Sequence, residues 1–189
     1  MKKAISLLLG AVLLLTGCGS WAPNGETRIQ SDIAVLEYND LRDSYMERPT
    51  FVSLRQRIGA EPALQIEVDQ YGVEDGQLYF TPQSAQPLID QIDKYLEWEA
   101  IALERGDQID RKIGEAPSIS GFKYVTSFFS GNAKSHYFVL GQCIMGCLTG
   151  IDQKYRFYFD HENAVRLQHL LTQFRDGEVQ ALNEDEVYK

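Results

Sequence analysis

The groups in this chain best spaced for chemistry are two thiols. Cys143 and Cys147 stand four residues apart in GQCIMGCLTG, and in an oxidising compartment so close a pair reads first as a disulfide. A straight strand would hold their Cα atoms about 13 Å apart, at roughly 3.3 Å per residue, beyond bonding reach. The chain must therefore turn between them, and Gly146 makes that turn cheap. Closing so small a ring is worth about 2 kcal/mol on the chain-entropy view. Metal or redox use fits less well. Zinc takes four ligands, and neither a CxxC nor an HxxxH accompanies the pair.

The three histidines give no second centre. His161 and His169 fall in one amphipathic stretch, about 80° apart around a helix and separated by about 12 Å of rise, too far to share an ion. His136 belongs near a predicted hairpin tip, facing water. Asp160-His161-Glu162-Asn163 resembles a ligand set, but the same residues suit a helix start. Asp160 caps, Glu162 favours the positive end of the dipole, and Arg166 lies one turn on as its ion-pair partner. Ser120 and Lys123 match the SxxK pattern of penicillin-interacting serine enzymes. That pattern needs both groups on one helical turn, and Gly121 with a strand-like run after it spoils the helix; no KTG follows. No GxSxG, HExxH or GxxxxGK[ST] occurs. Gly141, Gly146 and Gly150 read as turn and bulge positions. Carboxylates are plentiful and none stands out, so a glycosidase-like pair stays open. No catalytic residue, cofactor or metal is expected from these patterns.

The clearest signal lies at the start. Met1-Lys2-Lys3 precedes an apolar run from Ala4 to Leu15, which has the form of a secretory signal and is shorter than the roughly 20 residues that span a bilayer. It ends in Leu15-Thr16-Gly17-Cys18, which resembles the lipobox of bacterial lipoprotein signal peptides. The resemblance implies cleavage before Cys18, acylation of its thiol and amino terminus, and residence in a membrane, since stable anchoring takes more than one chain. Gly19 follows where lipoproteins kept in the inner membrane commonly carry Asp, which implies an outer-membrane address facing the periplasm. Gly19 to Thr27 (GSWAPNGET) reads as a flexible tether reaching roughly 30 Å. The expected organisation is a signal peptide over 1–17, lipidated cysteine and tether over 18–29, one periplasmic domain over 30–182 and a frayed acidic tail over 183–189.

Composition limits the partners. Removing residues 1–17 takes away Lys2 and Lys3 and no acid, lowering the formal charge of the 189-residue chain from −9 to −11. So acidic a surface repels nucleic acid and anionic lipid. Hydrophobic content of 44% and aromatic content of 11% belong to a folded globule.

The elements that must position these groups show an internal echo. Leu78 to Trp98 (LYFTPQSAQPLIDQIDKYLEW) aligns with Phe157 to Gly177 (FYFDHENAVRLQHLLTQFRDG). Each is a short aromatic strand, a capping residue (Thr81 or Asp160) and an amphipathic helix. The echo is either a duplicated unit or convergence on a common pattern. Ala164, Leu167, Leu170, Leu171 and Phe174 share one face of the second helix. Pro87 places the regular start of the first helix near itself, with its end at about Arg105 before Gly106. Between the copies, FKYVTSFFS and AKSHYFVLG predict a hairpin turning at Gly131-Asn132, which sets Val125 opposite Phe138 and Ser127 opposite His136. Tyr155 to Phe159 gives a third strand. Leu64, Ile66 and Val68 alternate as a half-buried strand. Phe51 to Gly59 suits strand or helix, and Ile29 to Tyr45 is expected to be helical in part. The fold class is α+β, an antiparallel sheet with helices packed on one face.

These observations favour a membrane-anchored, non-enzymatic envelope lipoprotein whose domain binds or supports a protein partner. An inhibitor or immunity protein against a basic toxin or muralytic enzyme is the alternative, and a hydrolase of envelope polymers the second.

Overall fold

Among the described residues, aromatic and β-branched runs pair into two antiparallel sheets, and two helices close over them. The computed structural model describes residues 20–69, 76–119, 123–143 and 156–182. In chain order the elements are β1 (Trp21–Arg28), β2 (Val35–Asn39), β3 (Ser44–Arg48), β4 (Thr50–Arg57), β5 (Ala60–Val68), β6 (Gly76–Phe80), α1 (Pro82–Arg105), β7 (Asp110–Pro117), β8 (Lys123–Asn132), β9 (Ser135–Cys143), β10 (Arg156–Phe159) and α2 (His161–Asp176). One sheet runs β1-β4-β5-β6 and the other β3-β2-β10-β9-β8-β7. The fold is α+β, with two sheets where one was expected. Pro49 marks the passage from β3 in the larger sheet to β4 in the smaller.

Cross-strand partners share a face, so the register sorts the larger sheet into two sides. Phe138 opposes both Phe159 and Phe128, and Leu140 opposes Phe157 and Thr126. All six are buried on the side that carries α1 and α2. Ala164, Leu167, Leu171 and Phe174 of α2 and Leu88, Ile92 and Tyr95 of α1 complete that layer. The same apolar cluster includes Val52, Leu64, Ile66, Leu78 and Phe80 of the smaller sheet. Tyr124 of β8 joins the sheets: its hydroxyl accepts from the Tyr79 N–H and donates to the Tyr79 carbonyl, both at 2.8 Å. Among the described residues no helix is long and apolar enough to cross a membrane.

Several expectations need correction. The tether reading fails from Trp21 onward, where the chain is β1, paired to β4 with a register break between Trp21 and Glu26. Its glycine and proline serve that irregular pairing: a Cβ on Gly25 would lie 2.8 Å from that of Gln56. Ile29 to Tyr45 is not helical. Asn39 Oδ1 accepts from the N–H of Leu41 and of Arg42 at 3.1 and 3.0 Å, and this side-chain turn folds β2 back onto β3. Phe51 to Gly59 resolves as strand β4. Helix α1 starts at Pro82, with Pro87 inside it. Burial of Ser84, Ala85, Leu88 and Ile89 on one side holds the first turns together around the missing bond. At its centre β5 is covered on both faces, since Gln65 is buried beside Leu64 and Ile66. The caps at Thr81 and Asp160, the end at Gly106 and β10 all lie where expected, and Gly177 in a left-handed conformation ends α2.

Candidate functional site

Most of the residues first suspected of chemistry are dispersed or committed to structure. Cys18, Cys147 and Ser120 lie outside the described residues. Cys143 is buried at the end of β9, and its sulfur is engaged rather than free. Lys123 opens a strand opposite Cys143, where an SxxK helix would have to be. Asp160 caps α2 by accepting from the Asn163 N–H at 3.0 Å, and Arg166 pairs with Glu162 at 2.6 Å. His169 is exposed on α2. Among the described residues no group of three or more His, Cys, Asp or Glu is placed to hold a metal ion.

His136 does not face water. The turn falls at Ala133-Lys134, three residues out of register with the expected pairing, so Ser130 opposes His136 and Phe128 opposes Phe138. Asn132 Oδ1 accepts from the Lys134 N–H at 2.8 Å and fixes that corner. An odd slip moves a side chain to the opposite face, and His136 is therefore buried at 3% exposure against Phe128, 5.2 Å between ring centres. Its Nδ1 lies 2.9 Å from Ser130 Oγ, while Nε2 is buried without a partner.

A buried carboxylate was not anticipated. Glu99, 5% exposed on α1, accepts from the Tyr95 hydroxyl at 2.9 Å and pairs with Nδ1 of His161 at the first turn of α2. Burial, and then the neighbouring Glu99, raise the Tyr95 hydroxyl far above the usual tyrosine range. The cluster fastens the two helices to each other. It places no nucleophile beside the histidine.

The side of the larger sheet away from the helices carries a different set. Tyr38 opposes Tyr45, and Phe129 opposes Tyr137; Tyr158 lies between Leu36 and Val139. Five aromatic rings thus meet on one surface. Tyr45 is their hub, 4.3 Å from Tyr137, 4.8 Å from Tyr158 and 5.2 Å from Tyr38 between ring centres. The β2–β3 and β8–β9 turns rise at one end and enclose an open cleft of about 520 Å³, lined by Tyr38, Asp43, Tyr45, Phe129, Asn132 and Tyr137 among others. Gly131 lets the β8 backbone pass close to Tyr137, since a Cβ there would come within 3.3 Å of its ring.

The charge of this cleft comes from its carboxylates. Asp43 adopts a left-handed φ of 52° at the end of the turn, and Tyr38 donates its hydroxyl proton to it. That hydrogen bond is the main reason the Tyr38 hydroxyl titrates above its ordinary value, with Asp40 adding to it. Burial raises Tyr45 and Tyr137 as well. Asp43 and Asp40 are the acids beside the tyrosines. Arg42 and Lys134 sit at the two turns, yet neither lies over these rings nor pairs with Asp43. Elsewhere on the surface the aromatic rings carry cations of the chain itself. Arg55 stands over Trp21 at 5.4 Å, Arg28 over Phe51 at 5.2 Å, and Lys94 and Arg111 over Trp98 at 5.0 and 5.2 Å.

No known protein family, curated protein or solved structure matches this chain. The tyrosine cleft was hidden in the sequence because its rings come from five strands. One trace of it was present: Phe157 and Phe159 point inward and Tyr158 outward in RFYF, so phenol alternates with phenyl.

Proposed function

We propose that this chain is a lipid-anchored envelope protein, held to the outer membrane through Cys18, whose periplasmic domain binds a protein partner without turning it over. The lipobox-like start supports the anchor, and Cys143 with Cys147 forms the disulfide of the domain. The observation that carries the binding role is the open aromatic face of the larger sheet. Tyrosine is suited to such a surface, giving large contact area and a polar tip at little conformational cost. The net acidity and the carboxylates beside the rings favour one special case, in which the partner is a basic toxin or wall-degrading enzyme that this chain restrains.

Two measurements test the proposal. Cys18→Ala should abolish metabolic palmitate labelling and release the protein from sedimented membranes; a variant that still labels and still sediments removes the anchor. A photo-cross-linking residue at Ser44 in the cleft and another at Val165 on α2 should be compared in intact cells. Protein adducts from Ser44 are expected. The absence of adducts from both positions would remove the partner.

A further inference from the structure

From the tyrosine cleft we infer the chemistry of what it receives: an arginine side chain presented by a polypeptide partner. The inference rests on the binding role proposed above and gives that site its ligand. Three features point the same way. The rings of Tyr38, Tyr45, Tyr137 and Phe129 line an open cleft rather than a closed cage, and a planar guanidinium can lie against an aromatic face there while its rigid N–H fork donates along its edge, a combination a compact ammonium lacks. Asp43 stands at the rim with one carboxylate oxygen taken by Tyr38, and its remaining lone pairs can accept from guanidinium N–H groups. The chain also uses this pairing three times for itself, at Trp21, Phe51 and Trp98, whereas among the described residues no cation covers the tyrosines. Among the described residues the cleft is an aromatic surface with no cation over its rings.

A weak saturable site is expected for the isolated side chain. The full chain, with its tyrosine rings labelled for NMR, should be titrated with N-acetyl-arginine amide and with N-acetyl-citrulline amide, a neutral isostere. Arginine should shift the Tyr38, Tyr45 and Tyr137 signals and bind at least tenfold more tightly than citrulline. Asp43→Asn should weaken arginine binding at least fivefold. Asparagine tolerates the left-handed turn as aspartate does, so that variant should keep its fold, which an unchanged spectrum of the Trp21 and Trp98 rings would verify. Tyr38→Leu removes a ring already 43% exposed and should weaken binding without unfolding the sheet. Equal binding of arginine and citrulline, or an affinity indifferent to Asp43→Asn, would overturn the assignment. Either result leaves the protein partner standing, because that rests on the cross-linking and not on the titration.

Discussion

The two strand–cap–helix units, β6–α1 and β10–α2, read almost alike in sequence and are held in place by different means. Among the described residues, strand β10 lies inside the larger sheet between β2 and β9, while β6 is the outer strand of the smaller sheet with β5 as its one ladder partner. An outer strand leaves a row of backbone groups unpaired. At β6 the Tyr124 hydroxyl takes over that role for Tyr79. The caps differ in the same sense. Ser84 Oγ accepts from the Thr81 N–H at 2.8 Å and donates back to the Thr81 carbonyl at 2.9 Å, a closed local loop. At the equivalent place Asn163 accepts from the Ala34 N–H at 2.8 Å through Oδ1 and donates to Asp160 at 2.9 Å, so it ties α2 to the segment leading into β2. One pattern thus makes a unit whose cap is locally complete and another whose cap is wired to distant chain.

The largest effect is expected where the edge is sealed. Tyr124→Phe keeps the ring and strands both the N–H and the carbonyl of Tyr79, which should cost about 2–3 kcal/mol in urea denaturation. A cost near zero would mean the edge of β6 needs no seal. The same hydroxyl gives a pH signature. Burial pushes Tyr124 up to about 12, while an unfolded tyrosine ionises near 10. Below about pH 10 both states hold the proton and stability is intact. As pH rises from there to about 12, the unfolded chain sheds a proton that the native one keeps, and up to about 3 kcal/mol is lost. Thermal melts from pH 9 to 12 should show that decline, and it should be shallower in the phenylalanine variant.

The next pair of variants weighs the two caps directly. Asn163 is 1% exposed and serves three partners, counting its own backbone bond to Asp160 and the long contact with Arg166. Asn163→Ala should cost about 2 kcal/mol because the Ala34 N–H is left without its acceptor. Ser84→Ala breaks two bonds to Thr81 within one turn, and as the loss of a local cap it should cost about 1 kcal/mol. Equal losses in parallel urea titrations would show that the distant tie adds nothing to the cap.

The comparison also explains what the sequence made legible. Helix faces, caps and β10 were readable because each is decided within a few residues: Asp160 before an apolar stripe, Gly106 after one. β1 was not, because Trp-Ala-Pro-Asn-Gly-Glu-Thr-Arg has no alternation of its own and becomes a strand only by lying against β4. The β8–β9 turn was placed at Gly131-Asn132 on its residue types, and the register that buries Phe128, Phe138 and Leu140 together moves it to Ala133-Lys134. That register also sends His136 inward. Glu99 and the tyrosine cleft depend on pairs 62 and about 90 residues apart, which no local pattern encodes.

The smallest effect concerns a feature that one unit has and the other cannot form. Glu162 and Arg166 make an ion pair one turn apart on α2, and their counterparts on α1 are Gln83 and Pro87. Glu162 is well exposed, and Arg166 also reaches the Asp32 carboxylate at 3.3 Å and its carbonyl at 2.9 Å. An exposed pair with a ready substitute partner should add little. Glu162→Gln is therefore expected to cost no more than about 0.3–0.5 kcal/mol at low salt. The difference should vanish near 1 M salt, where the Debye length falls to about 3 Å. Urea titrations of both proteins at low and high salt decide it. A cost that survived high salt would show that Glu162 acts through packing or the cap rather than through its charge, and the contrast between the two units would then lie in their first turns as much as in their sheets.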